Sequence, residues 1–272
     1  MGRKSVGKRK AEVTETAYEA LAPLYDEFTA HHDYELWLGN LLPRIESHGI
    51  GGRRLLDVAC GTGKSFIPLL EKGWQVTACD FSPAMLEVAR TKVGERVALN
   101  VADMRELPVF GEFDLVWSMG DAVNYLSSTE EVVRALAGMR CNLAPAGLLV
   151  FDADTLATYR SFFAEEVVVE RGGQRMIWHG LGSPDLPPSG VTEARFEVEP
   201  LEPGGDAAPA ASIHRVRHYA EGEVLAAIEA AGLECVDAFG HDYAVIPEQP
   251  VDEDRHSRAV YVARAARGGG GD

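Results

Sequence analysis

The chain has 272 residues, of which 46% are hydrophobic and 25% are charged, as is typical of globular proteins. No apolar run approaches the eighteen or so residues of a membrane span. With 26 basic and 42 acidic side chains, the formal net charge is −16, which disfavours binding to a nucleic-acid backbone. The basic first ten residues are followed by no apolar segment, so they do not form a secretory signal. We expect a cytoplasmic protein with neither nucleic-acid nor membrane partners.

The four cysteines are scattered without the spacing of metal ligands, and three lie in apolar segments. This pattern predicts buried free thiols in a reducing compartment and no bound metal. The four are Cys60, Cys79, Cys141 and Cys235.

The N-terminal part divides into a short basic arm and a helical segment. Residues 1–12 are predicted to be a disordered arm. Residues 13–50 are predicted to form one or two amphipathic helices that lie over the rest of the fold as a lid. Its aromatic residues are Tyr18, Tyr25, Phe28, Tyr34 and Trp37.

Residues 51–158 alternate between strand-like and helix-like segments, which predicts a mostly parallel sheet with helices on both faces. The predicted strands are 53–59, 74–80, 97–103, 113–120 and 147–154. The predicted helices are 65–73, 82–93 and 130–144, the last closed by Pro145 and Gly147.

Residues 159–220 change to a period of two between Gly/Pro-rich loops, which predicts an antiparallel insertion that covers the substrate. Residues 221–267 return to a helix and two strands that complete the sheet. Residues 268–272 are predicted to be disordered.

The ends of the first three strands carry the residue types of a ligand site. LLDVACGTGKSF (55–66) places Gly61 and Gly63 where a strand passes into a helix, either as a tight structural turn or as the floor of a ligand site. Its D-x-A-x-G-x-G spacing differs from the dinucleotide fingerprint, which implies a smaller ligand. Asp80 ends the second strand, where a carboxylate can accept from ribose hydroxyls. Asp103 ends the third strand and could accept from an exocyclic amine.

Four segments together resemble motifs one to four of the class I S-adenosylmethionine-dependent methyltransferases. They are LLDVACGTG, CDFSPAML, VADMRELP and FDLVWSMGDAVNYL, and the resemblance covers about residues 15–155. LYDEFTAHHDYELW also resembles the lid of small-molecule N-methyltransferases such as the glycine and amino-sugar enzymes. The resemblance implies an α/β fold, a Rossmann-like doubly wound seven-stranded sheet with an N-terminal helical lid and an inserted antiparallel β cover.

The resemblance further implies that S-adenosyl-L-methionine binds at these strand ends and leaves as S-adenosyl-L-homocysteine. The residues it places around the methionyl part are Tyr25, Trp37, Asp57, Ala59, Cys60, Gly61, Thr62 and Gly63. It places Asp80 at the ribose. Those it places around the adenine and the sulfonium are Phe81, Met85, Asp103 and Met104, then Ser118 and Met119.

Candidate catalytic residues depend on the acceptor, because a neutral amine needs no strong base whereas a hydroxyl needs a histidine or carboxylate in reach. By the resemblance, Asp121 and Asn124 follow the fourth strand, where the acceptor sits. His214 and His218 share one face of a predicted strand, and they either look into the substrate site or are structural.

We therefore expect methyl transfer to a small-molecule acceptor, with an amine of a natural-product, amino-sugar or amino-acid-like metabolite preferred. The alternatives are an O-methyltransferase of a small hydroxylated or carboxylated metabolite and a non-catalytic cofactor-binding protein. A nicotinamide oxidoreductase is disfavoured because the third glycine of its fingerprint is missing. The expected assembly is a monomer or homodimer.

Overall fold

The computed structural model describes residues 18–19, 21–201, 210–242 and 246–266. Its α-helices are α1 (Tyr25–Phe28), α2 (Tyr34–Glu46), α3 (Ile67–Glu71), α4 (Pro83–Val93), α5 (Thr129–Arg140), α6 (Leu156–Arg160) and α7 (Glu221–Ala230). Its strands are β1 (Arg54–Val58), β2 (Gln75–Asp80), β3 (Ala98–Val101), β4 (Phe113–Ser118), β5 (Leu143–Asp154), β6 (Glu166–Arg171), β7 (Gln174–Gly180), β8 (Val191–Pro200), β9 (Ala210–Arg217), β10 (Leu233–His241) and β11 (Arg258–Ala265). The predicted arm, 1–12, and the predicted tail, 268–272, lie outside the described residues.

The larger sheet has seven strands in the order β10-β11-β5-β4-β1-β2-β3. Strands β1 to β5 pair in parallel, whereas β11 runs antiparallel to both β5 and β10. The predicted α/β fold with its seven-stranded sheet is confirmed. Strand order reverses between β1 and β4, which creates a crevice at their carboxyl ends, where ligands bind in open α/β sheets.

Two hydrophobic cores cover the two faces of this sheet. Leu55 packs on one face with α2, while its neighbour Leu56 packs on the other with α5 and α7. This alternation follows from the side-chain period of two in a strand. Helix α4 begins as predicted, because Ser82 accepts a hydrogen bond from the Met85 backbone N–H.

The predicted β insertion forms a separate antiparallel sheet in the order β6-β7-β8-β9. Its inner face shares a third hydrophobic core with the N-terminal segment, in which Leu21 and Phe28 pack near Trp178 and Phe196. The Phe28 and Phe196 ring centres lie 5.0 Å apart. The N-terminal segment and the insertion are therefore packed against each other.

The predicted helix 130–144 is too long. Helix α5 ends at Arg140, and β5 already begins at Leu143. Pro145 lies where the β4–β5 register shifts, and a proline is tolerated in a strand at such an irregularity. Gly147 is required there because a Cβ atom would lie 2.7 Å from the Phe113 carbonyl oxygen.

The cysteine prediction is correct for pairing and partly wrong for burial. All four cysteines are free, and Cys60 and Cys79 are buried. Cys141, just past the end of α5, is exposed, and Cys235 is half-buried on the edge strand β10.

No helix in the part of the chain that the structure describes is both long and apolar enough to cross a membrane.

Candidate active site

A cavity of about 390 Å³ lies at the carboxyl ends of β1, β2 and β4. Its size falls within the range of small-molecule sites. Its walls come from the segments after these strands and from the N-terminal segment. The lining residues are Tyr18, Tyr25, Tyr34, Ala59, Cys60, Gly61, Thr62, Lys64, Ser65, Asp80, Phe81, Met85, Val101, Ala102, Asp103, Met104, Arg105, Met119, Gly120, Ala122, Tyr125, Leu126, Ser127 and Glu131.

The two glycines of the loop after β1 have different surroundings. Gly61 has a φ of +52°, and a Cβ atom there would meet nothing within 4 Å. Gly63 has a φ of +85°, and a Cβ atom there would lie 2.7 Å from Phe66 Cζ. Gly61 therefore opens onto the cavity, whereas Gly63 permits close packing of the loop on the core.

Asp57 lies beneath this loop, fully buried and outside the cavity lining. Its carboxylate accepts a 2.6 Å hydrogen bond from Ser65 Oγ, and Ser65 does line the cavity. Burial raises the pKa of Asp57 to about 7, although the hydrogen bond from Ser65 opposes this rise. Asp57 therefore contacts the cavity wall through Ser65.

Asp80 reaches the cavity from the end of β2. Its carboxylate oxygens accept one hydrogen bond each from backbone N–H groups, at 2.8 Å from Gly61 and 2.9 Å from Ser82. Burial raises its pKa to about 6, opposed by these same N–H groups. Since a carboxylate has about four lone-pair sites, Asp80 retains acceptor capacity toward the cavity.

One end of the cavity is an apolar slot closed by a charged pair. Phe81, Met85 and Met104 line the slot. Arg105 Nε lies 2.9 Å from both oxygens of Asp103. Burial alone would raise the pKa of Asp103, but the hydrogen bonds from Arg105 outweigh it and lower that pKa.

Another part of the cavity wall is lined by four tyrosines and the loop after β4, and the ring centre of Tyr18 lies 5.9 Å from that of Phe81. We call it the tyrosine end, and it consists of Tyr18, Tyr25, Tyr34 and Tyr125. A Cβ atom on Gly120 would lie 3.6 Å from the Tyr34 hydroxyl. Met119 lines the cavity beside this end, while the preceding Ser118 is buried in β4.

An acidic centre lies behind the loop after β4, formed by Asp121, Asp152, Asp154 and Arg258. Asp152 accepts hydrogen bonds from the backbone N–H groups of Gly120 and Asp121, at 2.8 and 3.0 Å. Arg258 Nη1 lies 2.6 Å from Asp152, and its Nη2 lies 3.3 Å from both Asp121 and Asp154. The centre therefore holds three carboxylates around one guanidinium.

Two of the other predicted site residues lie outside the cavity lining. Trp37 is fully buried in α2, with its ring centre 5.3 Å from that of Tyr34. Asn124 connects two backbone segments, since it accepts a 2.9 Å hydrogen bond from the Asp154 N–H and donates a 3.0 Å one to the Arg217 carbonyl.

Of the two predicted histidines, His214 packs against the tyrosine end, whereas His218 packs against Tyr159, with ring centres 5.4 Å apart. His214 Nδ1 lies 3.1 Å from the Tyr125 hydroxyl. His218 follows the end of β9 and accepts from the Ser189 N–H at 3.0 Å. Burial lowers the pKa of each histidine to about 4, so both are neutral near pH 7.

The N-terminal segment is tied to the glycine loop by polar contacts. Thr62 Oγ1 donates a 2.6 Å hydrogen bond to Asp26, and Lys92 forms an ion pair with the same carboxylate. Lys64 Nζ donates to the Thr29 carbonyl at 2.7 Å. These contacts hold Tyr25 over the cavity.

Sequence reasoning did not single out several lining residues. Tyr125 lies within the fourth motif and Arg105 within the third, so the motifs themselves could have indicated both residues. Tyr18 and Tyr34 belong to the aromatic set of the predicted lid. Among the described residues, no group of three or more His, Cys, Asp or Glu side chains is placed to hold a metal ion.

Comparison with known proteins identifies the family. A methyltransferase-domain model matches residues 55–147. YqeM of Bacillus subtilis (strain 168), a protein named as a methyltransferase, is 32% identical over 172 residues, which are 62% of this chain and 68% of that protein.

Two further similarities extend over most of the chain. The dTDP-3-amino-3,4,6-trideoxy-alpha-D-glucopyranose N,N-dimethyltransferase of Streptomyces venezuelae is 27% identical over 217 residues, 78% of this chain and 89% of that protein. A solved S-adenosylmethionine-dependent methyltransferase from Clostridium acetobutylicum ATCC 824 has the same fold, with a TM-score of 0.75 over 92% of this chain and 99% of that one, at 19% identity. The chain therefore belongs to the S-adenosylmethionine-dependent methyltransferases.

Proposed function

We propose that this enzyme transfers a methyl group from S-adenosylmethionine to an amine nitrogen of a small metabolite. One observation carries the proposal: Gly61 and Asp80 line the same cavity as the four residues of the tyrosine end. The similarity to an amino-sugar N,N-dimethyltransferase over 89% of that protein's length supports an amine acceptor.

The cavity residues around Gly61 and Asp80 suit the cofactor. Asp80 has acceptor capacity for the two ribose hydroxyls, and the missing side chain of Gly61 leaves room for the methionyl part. The apolar slot of Phe81, Met85 and Met104 suits the flat adenine ring. Met119 would then lie near the sulfur, at the entrance to the tyrosine end.

The tyrosine end would position the acceptor and exclude water. S-adenosylmethionine supplies an electrophilic methyl group, so the protein's task is to align the nucleophile and keep the site dry. Aromatic faces attract sulfonium and ammonium groups, by about 1 kcal/mol or more when these are desolvated. Neutral His214 and His218, behind the wall, fit a reaction that does not depend on a histidine base.

The covered position of the cavity favours a small acceptor over a macromolecule. The tyrosine end is enclosed by the N-terminal segment, and the Tyr18 and His214 ring centres, 5.4 Å apart, join that segment to the β insertion. We propose that 13–50 acts as the lid, 51–158 and 221–267 as the cofactor core, and 159–220 as the substrate cover. A cytoplasmic monomer or homodimer remains part of this proposal.

Mass spectrometry of reaction mixtures tests the function. Purified enzyme and S-adenosylmethionine are incubated with dTDP-amino sugars, glycine and short-chain amines, each beside its hydroxyl analogue. We expect one or two methyl groups on the nitrogen of at least one amine and none on its hydroxyl analogue. Methylation of hydroxyl analogues alone would contradict the proposal, as would cofactor binding without turnover of any amine.

A further inference from the structure

We propose that Asp121 is a catalytic residue that binds the acceptor amine as an ammonium ion and accepts its proton before methyl transfer. Asp152 and Arg258 are positioning residues for it. This inference rests on the proposed function and specifies the charge state in which the acceptor enters the site.

Asp121 is not itself among the residues that line the cavity, but its two neighbours in the chain, Gly120 and Ala122, are. Its backbone is left-handed, with φ of 59° and ψ of 16°, a conformation that is uncommon for residues other than glycine. The two hydrogen bonds from the Gly120 and Asp121 N–H groups to Asp152 hold this loop in place. The position of Asp121 is thus fixed by the buried end of β5.

Asp121 is the accessible carboxylate of the acidic centre. Its side chain is 20% exposed, whereas those of Asp152 and Asp154 are 0% and 4% exposed. Arg258 approaches Asp152 most closely, at 2.6 Å, and contacts Asp121 only at 3.3 Å. Of the three carboxylates, Asp121 is therefore the most exposed, and it is the one whose chain neighbours line the cavity.

The charge balance of the centre favours a cation. One guanidinium faces three carboxylates, so the centre has an excess of negative charge when they are ionised. A buried carboxylate without a compensating charge is costly, and an ammonium ion beside Asp121 would offset this cost. The whole chain, with its net charge of −16, attracts cations in the same sense.

The tyrosine end supplies neutral aromatic faces around the same point. Burial raises the pKa of Tyr125 and Tyr18, and the nearby Asp121 carboxylate raises them further, so both phenols stay protonated. Neutral aromatic rings beside a carboxylate form the surroundings in which an alkylammonium ion is held by both charge and cation–π attraction. An uncharged hydroxyl acceptor would gain much less from them.

Proton transfer to Asp121 precedes methyl transfer. The ammonium N–H proton passes to an Asp121 oxygen, which leaves the nitrogen lone pair free. That lone pair then forms a bond to the methyl carbon as the carbon–sulfur bond breaks, giving a neutral thioether and a methylated ammonium product. Asp121 later releases its proton to solvent, through its exposed edge.

Burial and the neighbouring Asp154 carboxylate raise the pKa of Asp121 well above its usual range, while Arg258 opposes them. A raised pKa suits proton acceptance from an amine, because it narrows the difference between donor and acceptor. Below this pKa Asp121 is neutral and its preference for an ammonium ion is lost. The groups that face Asp121 are Tyr18, Tyr125, Asp152, Asp154, Tyr159 and Arg258, and Tyr34 faces it from α2.

Binding of two cofactor analogues tests the role of Asp121 without knowledge of the acceptor. Sinefungin carries an amine where S-adenosylmethionine carries its methylsulfonium, whereas S-adenosylhomocysteine carries neither. We expect calorimetry of wild type, at a pH above the Asp121 pKa, to show tighter binding of sinefungin. In Asp121→Asn, the ratio of the two affinities should fall at least tenfold while the affinity for S-adenosylhomocysteine changes less than twofold.

Two further measurements keep the test independent of folding defects. Asp185→Asn, at an exposed loop position, should keep the wild-type ratio. In wild type, the ratio should decline as the pH falls through the Asp121 pKa. An unchanged ratio in a folded Asp121→Asn protein, or a wild-type ratio that stays constant as the pH is lowered over the whole range in which the protein is folded, would overturn the inference. Neither result bears on whether amines are methylated, so the proposed function is tested separately.

Discussion

Asp80 is the residue whose chemistry bears most directly on cofactor affinity. It lines the cavity, and each of its oxygens accepts one hydrogen bond from the backbone, so its remaining lone pairs are available to a ligand. We expect Asp80→Asn to weaken S-adenosylhomocysteine binding by about 1.5 to 3 kcal/mol, because charge-assisted bonds to two hydroxyls are lost. Titration calorimetry measures this difference, and an unchanged affinity would place the ribose elsewhere.

The pH dependence of binding follows from the same residue. Its pKa is raised to about 6 in the free protein, and the ribose hydroxyls donate to the ionised form. The affinity for S-adenosylhomocysteine should therefore be greatest above this pKa and fall by about tenfold between pH 7 and pH 5. Asp80→Asn should remove the part of this decline that is centred near pH 6. A variant with the same decline as wild type would show that another group, such as Asp57, is responsible.

Gly61 distinguishes a ligand floor from a structural turn. Gly61 and Gly73 both have positive φ, and a Cβ atom on either would meet nothing within 4 Å, but only Gly61 lines the cavity. Leucine at either site should lower stability by a similar 1 to 2 kcal/mol, roughly the cost of a left-handed residue. Only Gly61→Leu should abolish cofactor binding at millimolar ligand. Thermal melts beside binding titrations decide the matter, and intact binding in Gly61→Leu would support the turn.

At the scale of elements, the contacts of α1 with the glycine loop should set how long the cofactor stays bound. The Asp26–Lys92 pair is partly exposed, with side-chain exposures of 36% and 26%, so its contribution is modest. We expect Asp26→Asn to increase the dissociation rate of S-adenosylhomocysteine about three- to fivefold, with a smaller effect at high salt. Stopped-flow displacement measures this rate.

A matched control lies on α4, the helix that carries Lys92. Glu87 pairs with Arg90 on the exposed side of α4, so Glu87→Gln removes an ion pair without touching the N-terminal segment. Its dissociation rate should equal that of wild type. Equal rates in all three proteins would mean that α1 does not retain the cofactor.

The sequence predicted elements well where apolar runs were continuous or a helix start was marked. Strands β1, β2 and β4 and helix α4 lie within two residues of their predicted limits, because these strands are buried along almost their whole length and Ser82 marks a helix start. The end of α5 was missed because the apolar residues after Arg140 continue a helical pattern, whereas the pairing of β5 with β4 decides their conformation. Local pattern does not contain that tertiary pairing.

At the scale of the whole molecule, the cavity residues next to the motifs could be predicted, while the acidic centre could not. Arg258 stands on the last strand, and only the antiparallel pairing of β11 with β5 places it against Asp152 and Asp154. Trp37 shows the opposite case, since its place in the aromatic lid motif suggested a cavity wall but α2 turns it into the core. Long-range packing determined both outcomes.

A crystal structure of the enzyme with S-adenosylhomocysteine would locate the cofactor directly. We expect the ribose hydroxyls on Asp80, the adenine between Phe81 and Met104, and the sulfur beside Met119, facing the tyrosine end. A ligand outside this cavity, or one reversed so that its sulfur lies beside Arg105, would contradict this placement.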